Sequence, residues 1–351
     1  MKTSINILLV FLFAACTSVP DERMTPYVDF PETRELTART LSLDSALFRY
    51  PYRVRVQDDK AVVLDLHGTE YFFHAFHYPG FNYLSSFGKR GDAPEEMLSA
   101  ENLRWNGNFL WTLDSNKSEL TRLGFASSGD SLLRLEAVSL DEELLRALDF
   151  VQYDDSTFII PDYSGDSRFC LVSRQGKLLH KIGTIPTTDE DALKNAHPAL
   201  AQAWRSFIDY NPRNGVLAAV TQLGEVLEIY NLKDSTHIVR IGPNGEPEFQ
   251  ISQGYGIPTG IMGFSDIQVT DSAIYVVFQG RAFKDIMQKA QQGINLPDGG
   301  QNIYVFSLEG KPLRKYVLDH YIHGISVDEQ KGIIIATDVN KDEPIIEYKL
   351  L

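Results

Sequence analysis

The stretch AVVLDLHGTEYFF, from Ala61 to Phe73, contains a short apolar strand that ends on an aspartate, then a polar turn and a second strand. Runs of β-branched and aromatic residues bounded by polar turns are typical of β-strands. Similar copies begin at Phe109, Thr157, Val216, Ala273 and Gly332, and a helix-like insertion interrupts the copy at Ala273. The chain therefore repeats one small β unit.

Another short strand precedes each copy, and a fourth strand follows most of them. The units begin at Arg53, Glu101, Asp149, Ser206, Phe264 and Ile322, with spacings of 48, 48, 57, 58 and 58 residues. Six units of four strands predict an all-β fold, a six-bladed β-propeller with four-stranded antiparallel blades. A sandwich or barrel with accidental internal similarity is the alternative.

The last unit has only three strands before the sequence stops at Leu351. The run ELTARTLSL, from Glu35 to Leu43, belongs to no unit, and we predict that this N-terminal strand completes the last blade. Such closure would remove an exposed sheet edge, which otherwise invites aggregation. The predicted propeller domain therefore covers residues 35–351.

The N-terminus has the features of an export signal. Lys2 is followed by an apolar run from Ile5 to Ala15 and then by Cys16. At ~1.5 Å per residue, this run is too short to cross a hydrocarbon layer of ~30 Å. We therefore predict that residues 1–15 are a signal peptide that is removed.

The pair Ala14-Ala15 directly before Cys16 resembles the lipobox of bacterial lipoproteins, although Phe13 stands where that pattern prefers leucine. This resemblance implies lipidation at Cys16, which would hold the protein on a membrane. Residues 16–34 are then predicted to be a tether. An ordinary secretory signal, with an incidental Cys16, is the alternative.

Thr17, which follows the cysteine, gives no aspartate-type retention signal for the inner membrane. We therefore predict an outer membrane lipoprotein. It could lie on the periplasmic or on the surface-exposed leaflet, and the sequence does not distinguish the two.

Acidic side chains outnumber basic ones in the 351 residues, 47 against 33, for a formal net charge of −14. Nucleic-acid binding depends on basic contacts that release counterions, so this balance disfavours nucleic acid as a partner. The two cysteines provide no disulfide framework.

The strand-turn-strand copies look like NHL-type repeats, and together with the lipobox they resemble the TolB-like six-bladed β-propeller lipoproteins of Gram-negative bacteria. Two glycine-rich stretches, FGKRGDAPEEM from Phe87 and IGPNGEPEFQ from Ile241, look like linkers between blades in that group. The resemblance implies the fold and no particular reaction.

The long insertions all follow the second or fourth strand of a unit, so in a propeller they emerge on the same face. They cover residues 89–100, 184–204, 243–263 and 281–300, and the second is predicted to contain a helix after a Thr/Asp cap. Loops on a rigid scaffold often carry function, so we expect a ligand to bind on this face. Insertions that only shield blade edges are the alternative.

Seven polar residues at the expected channel mouth on that face are candidate ligand-binding residues, chosen by loop position. They are Arg90, Asp92, Asp114, Asp162, Tyr163, Arg281 and Asp338.

The stretches beginning at Asp114 and Asp338 imitate the start of a calcium loop, but both lack glycine at the sixth position and glutamate at the twelfth. We interpret them as turns in which the aspartate bonds to its own backbone. No nucleophile or zinc motif occurs. We therefore assign no catalytic residue, metal ligand or cofactor.

These observations favour an anchored recognition module that binds an envelope protein, a peptide or a glycan. A metal-dependent propeller hydrolase or lactonase is the alternative, since such enzymes assemble a divalent-ion site in the channel from different blades. A structural or stress-related envelope component is a third hypothesis.

Overall fold

The computed structural model describes residues 24–43 and 48–350, and it confirms the predicted six-bladed propeller. The predicted signal peptide and Cys16 lie outside the described residues. Three short strands begin the described chain: β1 (Thr25–Pro26), β2 (Thr33–Leu36) and β3 (Arg39–Thr40).

Each of the first three blades is formed by four consecutive antiparallel strands. Blade 1 contains β4 (Pro51–Gln57), β5 (Lys60–Asp65), β6 (Tyr71–His77) and β7 (Asn82–Lys89). Blade 2 contains β8 (Ala100–Asn106), β9 (Phe109–Asp114), β10 (Glu119–Phe125) and β11 (Leu132–Ser139). Blade 3 contains β12 (Val151–Asp154), β13 (Thr157–Pro161), β14 (Phe169–Ser173) and β15 (Leu178–Ile182).

The other three blades also include the N-terminal strands. Blade 4 contains β16 (Ser206–Asn211), β17 (Val216–Thr221), β18 (Val226–Asn231) and β19 (Thr236–Ile241). A hairpin of β20 (Phe249–Ser252) and β21 (Tyr255–Pro258) follows. Blade 5 contains β22 (Phe264–Val269), β23 (Ala273–Phe278), β24 (Gly300–Ser307) and β25 (Pro312–Ile322). Blade 6 contains β26 (Ile325–Asp328), β27 (Ile333–Thr337) and β28 (Ile345–Lys349).

The second strand of each blade is almost completely buried because neighbouring blades cover both of its faces. All residues of β13, β17 and β23 are buried, whereas the outer strand β11 alternates between exposed and half-buried residues. A strand covered on both faces becomes a continuous apolar run. This double burial explains why the second strands make the repeat visible in the sequence.

The N-terminal segment adds a strand to each of blades 4, 5 and 6. Strand β1 pairs in parallel with β19, and β2 pairs in parallel with β25. Residues 24–34, the described part of the predicted tether (16–34), include β1 and the first half of β2, and this part lies against the propeller.

Strand β3 closes the ring, as the sequence predicted. Thr40 pairs with Ile346 in an antiparallel arrangement, and the Leu41 amide donates a hydrogen bond to the carbonyl oxygen of Ile345 at 2.9 Å. The predicted closing strand was too long at its start. Glu35 and Leu36 belong to β2, because the buried Leu36 packs in a core cluster of blades 5 and 6.

We call the face that carries the loops after the second and fourth strands the upper face, and the opposite face the lower face. Three helices lie in its long insertions: α1 (Glu190–Asn195), α2 (His197–Ala203) and α3 (Phe283–Gln291). The predicted helix cap is present in α1, where the Asp189 carboxylate accepts the Ala192 amide at 2.9 Å.

We predict that Leu41→Ala lowers the free energy of unfolding by about 2–3 kcal/mol, since truncating a buried leucine leaves a cavity in the core. Leu41 packs with residues of blades 1 and 6 at the ring closure. Chemical denaturation would measure the loss. The exposed neighbour Ser42→Ala is the control and should stay within about 0.5 kcal/mol of wild type. Equal stability of the two variants would contradict a closing role for this segment.

Candidate functional site

The first strands of the blades line a central channel, and their buried charged side chains fill its middle. Three arginines and three aspartates, all buried except the half-buried Asp209, form this group, which we call the channel plug: Arg53, Arg55, Arg104, Asp149, Asp209 and Asp266. Equal numbers of both charges make the plug formally neutral, as buried charges require.

Asp266 is the centre of one half of the plug. Its carboxylate accepts hydrogen bonds from Arg55 at 2.8 and 2.9 Å and from Arg53. It also accepts the backbone amide of Ile325 in the next blade, at 2.9 Å. Asp266 therefore joins blades 1, 5 and 6 through one buried side chain.

Arg104 is the centre of the other half. Its guanidinium lies 2.8 Å from Asp209 and 3.1 Å from Asp149. Each carboxylate also accepts a backbone amide from the following blade, Asp149 from Ile208 at 2.9 Å and Asp209 from Val269 at 2.7 Å. These contacts join blades 2 to 5 across the channel.

The pKa values of the carboxylates shift in opposite directions in the two halves of the plug. Burial alone would raise the pKa of Asp266, but the neighbouring Arg53 and Arg55 outweigh burial and hold this pKa below its usual range. Burial raises the pKa of Asp209 despite Arg104. Asp266 therefore stabilises the fold in its charged form.

We predict that Asp266→Asn lowers the free energy of unfolding at neutral pH by about 3–5 kcal/mol, because it leaves two buried arginines uncompensated. The folded pKa lies below the unfolded value of ~3.9, so the Asp266 contribution is full above that value and is lost as the pH falls. In denaturation curves measured at several pH values, the free energy of unfolding of the variant should therefore fall less than that of wild type as the pH is lowered. Asp130→Asn, at an exposed carboxylate, is the control. Matching curves for wild type and Asp266→Asn would show that the plug does not stabilise the ring.

The upper mouth, the end of the channel on the upper face, contains a tyrosine, an aspartate and a histidine in contact. The Tyr50 hydroxyl donates to Asp298 and lies 3.1 Å from Nε2 of His323, which is 3.2 Å from the same carboxylate. Burial, followed by the Asp298 contact, raises the pKa of Tyr50. The phenol is therefore a hydrogen-bond donor rather than a nucleophile.

Four polar atoms around this mouth have no hydrogen-bond partner among the described residues. They are Arg53 Nε, Tyr163 Oη, Arg205 Nε and His323 Nδ1. The Arg205 guanidinium lies 6.0 Å from the centre of the Tyr163 ring. The upper mouth therefore keeps unused hydrogen-bonding capacity, which a bound water or ligand group could satisfy.

Three of the predicted ligand-binding residues bond to the backbone around this mouth. Arg90 donates to the carbonyl oxygens of residues 66 and 68, and Arg281 donates to that of Gly299 at 2.6 Å. Asp338 accepts the side-chain amide of Asn340, which also binds the Asp298 backbone. The structure thus brings Arg281 and Asp338 to one loop, residues 298–300.

Three of the other candidates, Asp92, Asp114 and Asp162, lie away from this loop, whereas Tyr163 lies at the upper mouth beside Arg205. Asp114 accepts the amides of Asn116 and Lys117, and Asp162 accepts that of Ser164 while lying 3.1 Å from Nζ of Lys181. Both carboxylates are buried. Tyr163 follows Asp162 and is half-buried, whereas Asp92 is exposed. Asp114, like Asp338, bonds to its own turn, as the sequence indicated. A role of the seven residues in ligand binding stays a prediction.

We find no further indication of a catalytic site within residues 24–43 and 48–350. No cluster of three or more histidine, cysteine or acidic side chains in this part of the chain is arranged to hold a metal ion. Burial raises the pKa of the Cys170 thiol to about 12, so this thiol stays protonated at neutral pH.

The opposite end of the channel opens on the lower face into a cavity of about 490 Å³, which we call the lower-mouth cavity. Most of its walls come from the ends of the first strands of blades 1, 4, 5 and 6 and from the turns that follow them. Charged lining residues are Asp58, Arg213, Asp271, Asp328, Glu329 and Lys331. Amide side chains are Gln57, Asn211, Gln268 and Gln330.

Some of these groups are held by neighbours and others are exposed at the rim. Arg213 lies 2.9 Å from Asp271, and Lys331 lies 2.8 Å from Asp328. Asp58 is exposed, in a turn with a positive φ of 52°. The sequence did not lead us to this cavity, because we expected the ligand site on the face that carries the long loops. The available signal was the set of charged residues in short turns at the ends of the first strands.

The model of the TolB-like 6-blade propeller-like family matches residues 29–330. The chain belongs to this family. Among curated proteins, none matches the sequence. No helix in the described part of this TolB-like propeller is long and apolar enough to cross a membrane.

Solved structures with the same fold share little sequence with this TolB-like chain. A candidate exported protein from Bacteroides fragilis NCTC 9343 is 10% identical, with a TM-score of 0.57, over 92% of this chain and 99% of the other. A DUF4221 family member from Bacteroides vulgatus ATCC 8482 is 11% identical, with a TM-score of 0.56, over 90% and 95%. A streptogramin B lyase is 10% identical, with a TM-score of 0.50, over 89% and 97%. These similarities establish the fold alone.

Proposed function

We propose that this protein is a membrane-anchored envelope lipoprotein and a recognition module, which binds a peptide or glycan in the lower-mouth cavity. The observation that carries the proposal is the cavity itself, about 490 Å³ at the end of the channel. Ligand sites in proteins commonly have 300–1,000 Å³ and are largely preformed.

The cavity lining suits a ligand that is rich in hydrogen-bonding groups. Four carboxylates outnumber the two basic side chains, and four amides lie among them. Carboxylates accept hydrogen bonds from hydroxyl and ammonium groups, and amides both donate and accept. The acidic excess opposes anionic ligands by repulsion. We therefore expect neutral or basic ligands.

The lipid anchor is the second part of the proposal. The lipobox-like residues before Cys16 support acylation of that cysteine, and Thr17 supports the outer membrane as the location. One structurally similar protein is a candidate exported protein, which agrees with an envelope location. Acylation would keep the propeller at the membrane and expose its cavity to soluble or surface-bound ligands.

Glycan and peptide arrays would test the recognition site. We expect the wild-type protein to bind a set of neutral or basic ligands, and Gln330→Trp, at the exposed rim, to reduce this binding by filling the opening. Asp58→Asn should weaken binding ~3- to 10-fold, which corresponds to about one hydrogen bond. Asparagine tolerates the positive φ at this position, so the fold should be kept.

Asp130→Asn, which also removes an exposed carboxylate but lies outside the cavity, is the matched control. Empty arrays, or equal profiles for all variants, would refute the recognition proposal at this cavity. Loss of binding on deleting residues 281–300, with Asp58→Asn and Gln330→Trp unaffected, would move the site to the upper face.

Cys16→Ser tests the anchor separately. We expect this variant to lose the acyl chains and to move from the membrane fraction to the soluble fraction, because acyl chains supply the membrane affinity. Fractionation and mass spectrometry of the N-terminal peptide would measure the change. A protein that stays in the membrane fraction after the substitution would disprove the assignment of Cys16.

A further inference from the structure

Two insertions on the upper face carry exposed apolar side chains. The hairpin of β20 and β21 includes Tyr255 and Ile257, which are 62% and 47% exposed, and Met287 of helix α3 is 62% exposed. Large apolar side chains that are exposed together on a soluble surface mark an interaction site.

The hairpin turns Tyr255 and Ile257 away from the propeller. Gly256 lies between Tyr255 and Ile257 and contacts the backbone of Ala199 in α2 so closely that a Cβ would not fit. Side chains alternate between the two faces of a strand, so Tyr255 and Ile257 lie on the face opposite to α2. Their exposure is therefore fixed by the packing of the hairpin.

Helix α3 is amphipathic, but its apolar side is only partly covered by the propeller, since Phe283 and Ile286 are half-buried while Met287 and Ala290 are exposed. Phe283, Ile286, Met287 and Ala290 recur at helical spacing, and no residue of the helix is buried. An amphipathic helix on a globular protein normally packs its apolar stripe against the core. The arrangement in α3 instead resembles that of helices that lie in a membrane interface.

The hairpin and the helix flank one junction in the chain. The amide of Phe283, the first residue of α3, donates to the Gly260 carbonyl oxygen at 3.0 Å, and Ile261 pairs with Ala282. Gly260 follows the end of β21 by two residues. The exposed apolar groups of the two insertions therefore belong to one region, which we call the apolar rim (residues 249–258 and 283–291).

The N-terminal chain enters the fold beside this rim. Met24, the first described residue, packs against the same core cluster as Phe249 of β20. Cys16 lies eight residues earlier, so even a fully extended chain places it at most about 29 Å from Met24. An acylated Cys16 would therefore hold the membrane within a short distance of the apolar rim.

We infer that the apolar rim is a membrane-docking surface, by which the upper face lies on the bilayer that holds the lipid anchor. This inference rests on the proposed acylation of Cys16. Lys284 and Lys289, on the exposed side of α3, supply cations at the level of the lipid headgroups, while Met287 and Ile257 enter the acyl boundary. The lower-mouth cavity then faces away from the membrane.

Fluorescence quenching on the acylated full-length protein would test this orientation. The protein would carry Cys170→Ala and an environment-sensitive dye at either Met287→Cys or Gln330→Cys. It would be reconstituted in phosphatidylethanolamine–phosphatidylglycerol vesicles with brominated acyl chains. We expect quenching of about twofold or more at position 287, because interfacial helices enter the bilayer by ~5–10 Å, and none at position 330 on the lower face.

Charged substitutions identify the surface responsible. Tyr255→Asp with Ile257→Asp should abolish the quenching at position 287, because carboxylates oppose entry into the acyl region. Leu133→Asp with Leu135→Asp, also at exposed apolar residues but on the outer strand of blade 2, should leave it unchanged. Circular dichroism would verify that both pairs keep the fold.

The outcomes separate the inference from the proposals on which it builds. Vesicle-bound protein with no quenching at position 287 would overturn the docking surface and leave the anchor intact. Protein without acyl chains that does not bind vesicles would overturn both. A dye at position 287 that is already shielded in a detergent-solubilised dimer would overturn the inference in favour of contact between two copies. Array binding at the cavity is independent of all three.

Discussion

Three aspartates on the channel axis set the spacing between blades, and the rest of the structure depends on them. Asp149, Asp209 and Asp266 each accept a backbone amide from the first strand of the following blade. Each of these bonds joins residues 59 or 60 positions apart in the sequence. The arginines that neutralise them come from blades 1 and 2. The side chains that balance each other's charge at the axis therefore come from several blades of the ring. The plug that they form separates the upper and lower mouths of the channel.

The blades could be predicted because the second strand of each blade is buried on both faces and is therefore a continuous apolar run. The closing strand could be predicted because a run of strand-forming residues had no unit of its own, and the α1 helix because Asp189 precedes it. The split of residues 35–43 between β2 and β3 could not, since pairing with blade 5 or blade 6 is decided by the packing of Leu36 and Leu41. The plug could not be predicted either, because its contacts join residues that are distant in the sequence.

The candidate site shows how a repeated residue can have a structural cause. Asp114 and Asp338, which follow the second strands, were chosen because of their position at the loops, and both bond to their own turns. Aspartate favours these positions because its carboxylate accepts nearby backbone amides. The lower-mouth cavity has no such repeat. Its residues lie in short turns that look ordinary one by one, and only the closed ring brings them together.

One continuous piece of chain, residues 25–40, adds β1, β2 and β3 to three consecutive blades. A mechanical pull on the chain before Met24 is therefore passed to half of the ring rather than to a single sheet. The same piece also completes blade 6, because detaching it would remove the outer strand of that blade. Tension on the chain and completion of the last blade thus meet in one short segment.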